Sequence, residues 1–321
     1  MINLDTPLIE LLQGVQLRNG QRVGIELEYE HFAKEKLLET DLVINKWYLA
    51  DDPSLRAGGM ELISQVLLPG TISSALDEAR QVIQKSGARS HMRCGIHVHL
   101  NMTDVTIKQL WNLLVLYVLA EPSIFKQYAD GRETSHFCVP LWCNAAFAQT
   151  MYTDINMLRV GIENNKRPQK RAIQFDPEQP IEADEIQALV AGQLRGRGIR
   201  EPKRNRQLGI FSCIKYSALN LRPLISLGSI EFRQHPATTD MNKVRKWIDF
   251  LMHLRTVATG YDDPLTILDD YERGGLYALV EKLGLEHNDV DEIDQEEALD
   301  VATMAAGHLP VPWEKLTWEM D

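Results

Sequence analysis

Three glutamates at alternating positions are the first feature of this chain that suggests chemistry. Glu26, Glu28 and Glu30 lie in the segment GIELEYE, with apolar residues between them. Alternate residues of a β-strand share one face, about 7 Å apart, so we expect three carboxylates on one side of a strand. The pattern alone is equally typical of a solvated edge strand and of a set of ligands.

Two histidines alternate in the same way in the segment CGIHVHLN. His97 and His99 are predicted to share one strand face, opposite Ile96 and Val98. A single histidine on an apolar strand is usually a core residue. Two at this spacing, after a glycine that permits close approach, are more typical of metal ligands or phosphate contacts, since neutral imidazole is a common ligand.

Two further strand-like segments carry charged residues where a core strand would not. Glu231 and Arg233 share a face in GSIEFRQHP, and Glu61 follows a glycine pair in GGMELISQVL. A structural ion pair is the alternative for Glu231 and Arg233. Carboxylates about 4 Å apart repel by roughly 4 kcal/mol at an effective dielectric constant of 20. Mg²⁺ or Mn²⁺ would relieve that repulsion, and arginines suit phosphate oxygens, so the set indicates phosphoryl transfer.

Other motifs and the overall charge narrow the choice of function. The sequence has no P-loop, GxGxxG, GxSxG or HExxH pattern, which disfavours a Rossmann or Walker nucleotide site. The net charge of −11 disfavours a protein that coats DNA. Two alternatives to a phosphoryl-transfer enzyme remain. One is a metal-dependent hydrolase that uses the HxH and carboxylate site, and the other is a non-catalytic nucleotide-binding protein of the same fold.

The elements that must position these residues follow from hydrophobic periodicity. Six strands are predicted, at Arg22–Phe32, Trp47–Leu49, Glu61–Leu67, Cys94–Asn101, Ala218–Leu221 and Ser229–Gln234. Three helices are predicted, at Thr71–Ser86 with a Thr/Ser cap, at Thr106–Glu121, and at Asp240–Ala258 with Asp240 as its cap. Mixed strands and helices without regular βαβ alternation favour an antiparallel α+β fold.

The chain is predicted to form a single catalytic domain over residues 1–321, with a core at about 22–258. Residues 160–206 contain four prolines and the basic run Arg195–Arg206, and are predicted to form a long loop or flap that could contact an anionic substrate; a solvated loop is the alternative. Residues 262–321 are predicted to be an acidic helical extension. Scattered cysteines, no signal peptide and no membrane-length apolar run predict a cytoplasmic protein without a membrane partner.

The order of five segments resembles the amidoligase family of glutamine-synthetase-like carboxylate–amine ligases. The segments are GIELEYEHF, ADDPSLRAGGMELISQVL, RCGIHVHLNM, YADGRETSHFCVPL and KYSALNLRPLISLGSIEFRQHP. The resemblance runs from about Gly24 to Leu254 and implies a curved antiparallel sheet with flanking helices around a metal-loaded, ATP-binding cleft. The chain departs from full glutamine synthetases in having one evident carboxylate near Glu61 instead of two, and no separate small N-terminal domain.

The resemblance also implies roles for individual residues. It assigns metal binding to a set of five side chains: Glu26, Glu28, Glu61, His97 and Glu231. It places His99 and Arg233 beside the nucleotide phosphates or the substrate, with Glu30 or Glu61 as the base that takes the amine proton. Further substrate or nucleotide contacts are expected from Asn220, Arg222 and Arg132.

The implied reaction is ATP- and Mg²⁺- (or Mn²⁺-) dependent formation of an amide through an acyl phosphate. The acid would be glutamate or another amino acid, and the partner a small-molecule amine or an acceptor carried on a nucleotide or peptide. The acidic C-terminal helices are a candidate interface for a homo-oligomer.

Overall fold

Six strands form one antiparallel sheet in the computed structural model, which describes residues 4–12, 15–38, 43–129, 131–143, 216–286 and 290–307. The strands are β1 (Val23–Tyr29), β2 (Trp47–Asp51), β3 (Met60–Ser64), β4 (Gly95–Asn101), β5 (Leu219–Asn220) and β6 (Ser229–Pro236). Their order is β2-β3-β1-β4-β6-β5, and each neighbouring pair is antiparallel. All six predicted strands are present, and the predicted α+β class is confirmed. The predicted flap at 160–206, with Arg195–Arg206, lies outside the described residues.

The described helices precede, connect and follow these strands. They are α1 (Leu8–Leu11), α2 (Lys34–Leu38), α3 (Ile72–Ser86), α4 (Ile107–Tyr128), α5 (Pro223–Leu227), α6 (Met241–Thr259), α7 (Pro264–Leu283) and α8 (Glu292–Gly307). The last two lie in the region predicted as an acidic helical extension, and α8 packs against α4. No helix in the described part of the chain is long and apolar enough to cross a bilayer.

Helix α4 is longer than the sequence predicts. It begins after Thr106, where Thr106 Oγ1 accepts a hydrogen bond from Gln109 N and Gln109 Oε1 accepts one from Thr106 N. The predicted end at Glu121 is wrong, because the helix continues through Pro122 to Tyr128. An interior proline costs a helix about 3 kcal/mol, and the burial of Ile124 and Phe125 beyond it offsets that cost.

The predicted cap of α3 is also corrected. Thr71 precedes the helix, but its side chain makes no capping hydrogen bond. A 3₁₀ turn at Pro69–Thr71 comes first, and Thr71 Oγ1 bonds to Leu68 N and O instead. The cap of α6 is as predicted, since Asp240 Oδ1 accepts from Asn242 N.

The sheet has one apolar and one polar face. On β1 the side chains of Ile25, Leu27 and Tyr29 are fully buried, on the face that α4 and α6 cover through β4 and β6. The alternating polar residues lie on the opposite face. Because β1 has β3 on one side and β4 on the other, the alternative of a solvated edge strand is wrong.

Candidate functional site

Strand pairing brings the charged residues of four strands onto one face of the sheet. Glu28 of β1 lies opposite Glu61 of β3, and Glu26 lies opposite His97 of β4. Further along the sheet, His99 lies opposite Glu231 of β6. Directly paired residues point to the same side with Cβ atoms about 5 Å apart, so residues far apart in sequence meet in one row.

Glu26 lies at the centre of this row. Its Oε2 atom is 3.1 Å from His97 Nδ1, and its Oε1 atom is 3.1 Å from His99 Nε2. Two trios have ligand atoms within 4.8 Å of one another, Glu26–Glu61–His97 and Glu26–His99–Glu231. One carboxylate is therefore shared between two candidate cation positions.

Burial and ionic contacts shift the pKa values of this row in opposite directions. Burial raises the pKa of Glu26, but the charges and hydrogen bonds of His99 and His97 outweigh it and hold that pKa well below its usual range. Burial lowers the pKa of His99, and contact with Glu26 and Glu231 outweighs it, so the net shift is upward. These pairings favour an ionised Glu26.

Burial and neighbouring carboxylates both disfavour the ionised form of Glu61. Burial, followed by the charges of Glu26, Glu28 and Asp52, raises the pKa of Glu61 to about 10. Repulsion of this kind disappears when a divalent cation occupies the space between the oxygens. Each trio offers two carboxylates and one imidazole, and carboxylate oxygens are the ligands that suit Mg²⁺ or Mn²⁺. The residues present therefore fit such ions.

Glu28 supports the first trio without belonging to it. Its Oε2 atom accepts a hydrogen bond of 2.7 Å from Gly95 N, and its Oε1 atom lies 3.6 Å from His97 Nε2. One oxygen is thus fixed by the backbone of β4, while the other faces the imidazole.

Gly95 leaves space that the His97 ring uses. A Cβ atom on Gly95 would stand 3.0 Å from His97 Nε2, whereas a Cβ on Gly24 would stand 3.5 Å from His99 Cβ. The first distance is tighter than usual and the second is an ordinary contact. A side chain at position 95 would therefore displace the His97 ring by a few tenths of an ångström.

Arg132 also lies at this end of β4. It is 7% exposed, and its Nη1 atom donates to Cys94 O over 2.7 Å. Its Nη2 atom lies 3.5 Å from the position of a Gly95 Cβ. This guanidinium accordingly borders the His97 ring.

Glu231 is held from both sides on β5 and β6. Arg233 Nη1 donates to Glu231 Oε1, and Asn220 Nδ2 donates to Glu231 Oε2. The same Arg233 nitrogen lies 3.5 Å from His97 Nδ1. Burial lowers the pKa of Arg233, but the charges of Glu231, Glu28 and Glu26 outweigh this and raise it.

A β-bulge sets the direction of Arg233. Ile96 pairs with His235 and Val98 with Phe232, so Arg233 and Gln234 together oppose His97. Bulges occur next to active sites because they redirect a side chain. The sequence gives no direct sign of this irregularity.

Glu30 and Arg222 belong to neither of the two trios. Glu30 Oε1 accepts from Arg93 Nη2 over 2.8 Å and from Arg56 N over 3.0 Å, and its side chain is 3% exposed. Burial raises the pKa of Glu30, but these hydrogen bonds outweigh it and lower the pKa. Arg222 precedes α5, and its backbone N donates to Asn220 Oδ1 over 3.0 Å.

Sequence reasoning missed two side chains that border the site. Tyr48 of β2 pairs with Ile63 on the polar face, and burial together with Glu26 and Glu61 raises its pKa. Ser229 Oγ lies 3.3 Å from His99 Nδ1. Tyr48 alternates with Trp47 and Leu49, which was a usable signal, but strand aromatics are usually core residues.

Comparison with protein families finds a match in the N-terminal half of the chain. Residues 28–148 match the family described as "putative amidoligase enzyme". The matched segment includes Glu28, Glu61, His97, His99 and Arg132, and it supports the amidoligase resemblance inferred from the motifs over these residues. Glu26 and Glu231 lie outside it. None of the curated proteins compared with this chain matches it.

Proposed function

We propose that this protein is an ATP- and divalent-metal-dependent amidoligase, which joins a carboxylate to an amine through an acyl phosphate. The observation that carries the proposal is Glu26, which takes part in both ligand trios. Phosphoryl transfer depends on positioning and on neutralising charge, and two adjacent cation positions on one polar sheet face suit both needs.

Mg²⁺ or Mn²⁺ would be held by Glu26, Glu61 and His97 at one position, and by Glu26, His99 and Glu231 at the other. Glu28, beside His97, is a further proposed ligand. Bound there, the cations would neutralise phosphate charge and polarise the transferred phosphoryl group.

Arginine and amide side chains supply the proposed contacts to ATP and substrate. Arg233 would neutralise charge on the transferred oxygens, a contribution worth about 3 kcal/mol in comparable sites, while His99 faces the phosphates. Arg132, Asn220 and Arg222 are proposed to contact the nucleotide or substrate.

The proposed reaction has two chemical steps, phosphoryl transfer and amide formation. A substrate carboxylate oxygen attacks the γ-phosphorus, the bond to the leaving oxygen of ADP breaks, and an acyl phosphate forms. The amine nitrogen then attacks the acyl carbon, phosphate leaves, and a carboxylate accepts the amine proton. Glu61 and Glu30 are the candidate bases; Glu30 is already paired with Arg93, and Glu61 is also a proposed metal ligand.

The substrate class follows from the same proposal. The acid is glutamate or another amino acid, and the amine is a small molecule or an acceptor carried by a nucleotide or peptide. A cytoplasmic location and a homo-oligomer remain predictions.

The test is to incubate the protein with ATP, Mg²⁺ and pooled amino acids and amines, and to identify products by mass spectrometry. Release of ADP and phosphate with a new amide is expected, and Glu26→Ala and Glu231→Ala should abolish it. Glu272→Ala, an exposed acidic position on α7, is the control and should keep full activity. Cleavage of amides without ATP would support the hydrolase rival instead.

A further inference from the structure

A buried hydrogen-bonded chain lies beneath the β-bulge, on the apolar side of the sheet. Tyr117 and Glu121 are one turn apart on α4, and the Tyr117 hydroxyl donates to Glu121 Oε1 over 2.8 Å. The same hydroxyl accepts from Gln234 Nε2 over 3.0 Å. All three side chains are 0% exposed, and none belongs to the ligand trios.

The other oxygen of Glu121 holds a second segment. Glu121 Oε2 accepts from Leu141 N over 2.7 Å and from Trp142 N over 2.9 Å. Burial nevertheless raises the pKa of Glu121 to about 8. An apolar residue at this position would leave Leu141 N, Trp142 N and the Tyr117 hydroxyl without their acceptor, so Glu121 ties α4 to both neighbouring segments.

Both connections from Glu121 end at Arg233. The first passes through Tyr117 to Gln234, the neighbour of Arg233 in the bulge. The second passes along the 139–142 segment: Val139 N donates to Tyr216 O over 2.7 Å, and Ala218 N donates to Val139 O over 2.9 Å. Ala218 O in turn accepts from Arg233 N over 2.8 Å.

A bulge interrupts the regular strand ladder, so its conformation depends on such side contacts. Gln234 Oε1 is buried without a hydrogen-bond partner. The hydrogen bond from Gln234 Nε2 to the Tyr117 hydroxyl is thus the contact that fixes the Gln234 side-chain amide. Arg233 is joined directly to Gln234 and points to the polar face, toward His97 and Glu231, so a shift of Gln234 is transmitted to Arg233 through the backbone.

We propose that Glu121, Tyr117 and Gln234 are positioning residues that orient Arg233 toward the phosphoryl group from the opposite side of the sheet. This inference rests on the proposed function and adds a set of residues that never touch ATP, metal or substrate. Residues that orient a functional side chain from outside the site commonly change affinity or activity about 10- to 100-fold when altered.

The experiment measures binding of the β,γ-imido analogue of ATP, with Mg²⁺, to the full-length chain by calorimetry. Tyr117→Phe and Gln234→Met each remove the hydrogen bond that fixes Gln234, and both should weaken binding roughly tenfold. Tyr128→Phe is the matched control on α4. Its ring packs against Trp247 and Phe250, and this change should leave binding as in the wild type.

The same substitutions in a protein that lacks Arg233 distinguish an effect on Arg233 orientation from general destabilisation of the fold. In an Arg233→Met protein, Tyr117→Phe and Gln234→Met should have no further effect, because the residue they orient is gone. Equal weakening in both backgrounds, or unchanged binding in the Gln234→Met single variant, would overturn the inference. Should Tyr117→Phe fail to fold, Gln234→Met provides the same comparison. A wild-type protein that does not bind the analogue would instead overturn the proposed nucleotide site, and with it this inference.

Discussion

Glu26 and His97 face each other across β1 and β4, with Glu26 Oε2 3.1 Å from His97 Nδ1. Because the second oxygen of Glu26 reaches His99, one strand position joins both trios. This relationship predicts that replacing an outer ligand removes one cation position, whereas replacing Glu26 removes both.

Glu61→Gln and Glu231→Gln should therefore each remove one of two Mn²⁺ ions. Each amide keeps the size of the side chain but loses the charge that binds a cation. Titration with Mn²⁺ followed by electron paramagnetic resonance would count the bound ions in each variant. A full complement of two ions in both variants would argue against the two-trio arrangement.

Metal binding should release protons at pH 7 to 9. The pKa of Glu61 is raised to about 10 without a cation, so this carboxyl is protonated at neutral pH, and a bound ion displaces the proton. Metal affinity should accordingly rise with pH. Calorimetry in buffers of different ionisation enthalpy measures the protons released, and Glu61→Gln should release fewer.

The same pKa predicts how the stability of the metal-free protein depends on pH. A carboxyl whose pKa is raised by folding stabilises the folded state fully below its unfolded pKa of about 4.3. That contribution is lost as the pH rises toward the folded value of about 10. Urea unfolding without Mg²⁺ should show falling stability over this range, and the fall should be smaller in Glu61→Gln. A pH-independent difference between the two proteins would contradict the assignment.

Gly95→Ala should weaken Mn²⁺ binding about tenfold. Its new Cβ would stand 3.0 Å from His97 Nε2, so the imidazole must shift from its position between Glu26 and Glu28. Gly24→Ala places a Cβ 3.5 Å from His99 Cβ, an ordinary contact, and serves as the control. Equal Mn²⁺ affinities in the two variants would show that the His97 ring is not held by this contact.

Glu30→Gln should lower stability at pH 7 by about 1.5–3 kcal/mol, the range for a hydrogen bond to a charged group, and leave Mn²⁺ binding intact. Glu30 is paired with Arg93, and its pKa is lowered in the folded state. Its contribution is therefore present above the unfolded pKa and lost as the pH falls through the folded pKa. Urea unfolding at pH 7 and below pH 4 measures this difference. Loss of Mn²⁺ from the variant would place Glu30 among the ligands instead.

Alternation along single strands was predictable from the sequence, and pairing between strands was only partly so. GIELEYE and CGIHVHLN show which side chains share a face, because that depends on neighbours two residues away. The alignment of Glu26 with His97, or of Glu28 with Glu61, depends on register between distant segments, which local pattern does not specify. The resemblance to the amidoligase family implied that these residues share one metal site, but it did not specify the register.

Features that depend on contacts between distant segments could not be predicted from local sequence patterns. The continuation of α4 past Pro122 buries Ile124 and Phe125, and the bulge at Arg233 brings Gln234 against Tyr117 of a distant helix. Glu121 looked like the end of an apolar helix in the sequence. In the fold it is a fully buried hydrogen-bond acceptor.

The central claim is that Glu26 holds two divalent cations against a triphosphate, and counting Mn²⁺ bound to Glu26→Gln in the presence of the β,γ-imido ATP analogue tests it most directly. The wild-type protein should bind two ions together with the analogue, and Glu26→Gln should bind neither ion with comparable affinity. Two ions bound equally tightly by Glu26→Gln would contradict the account.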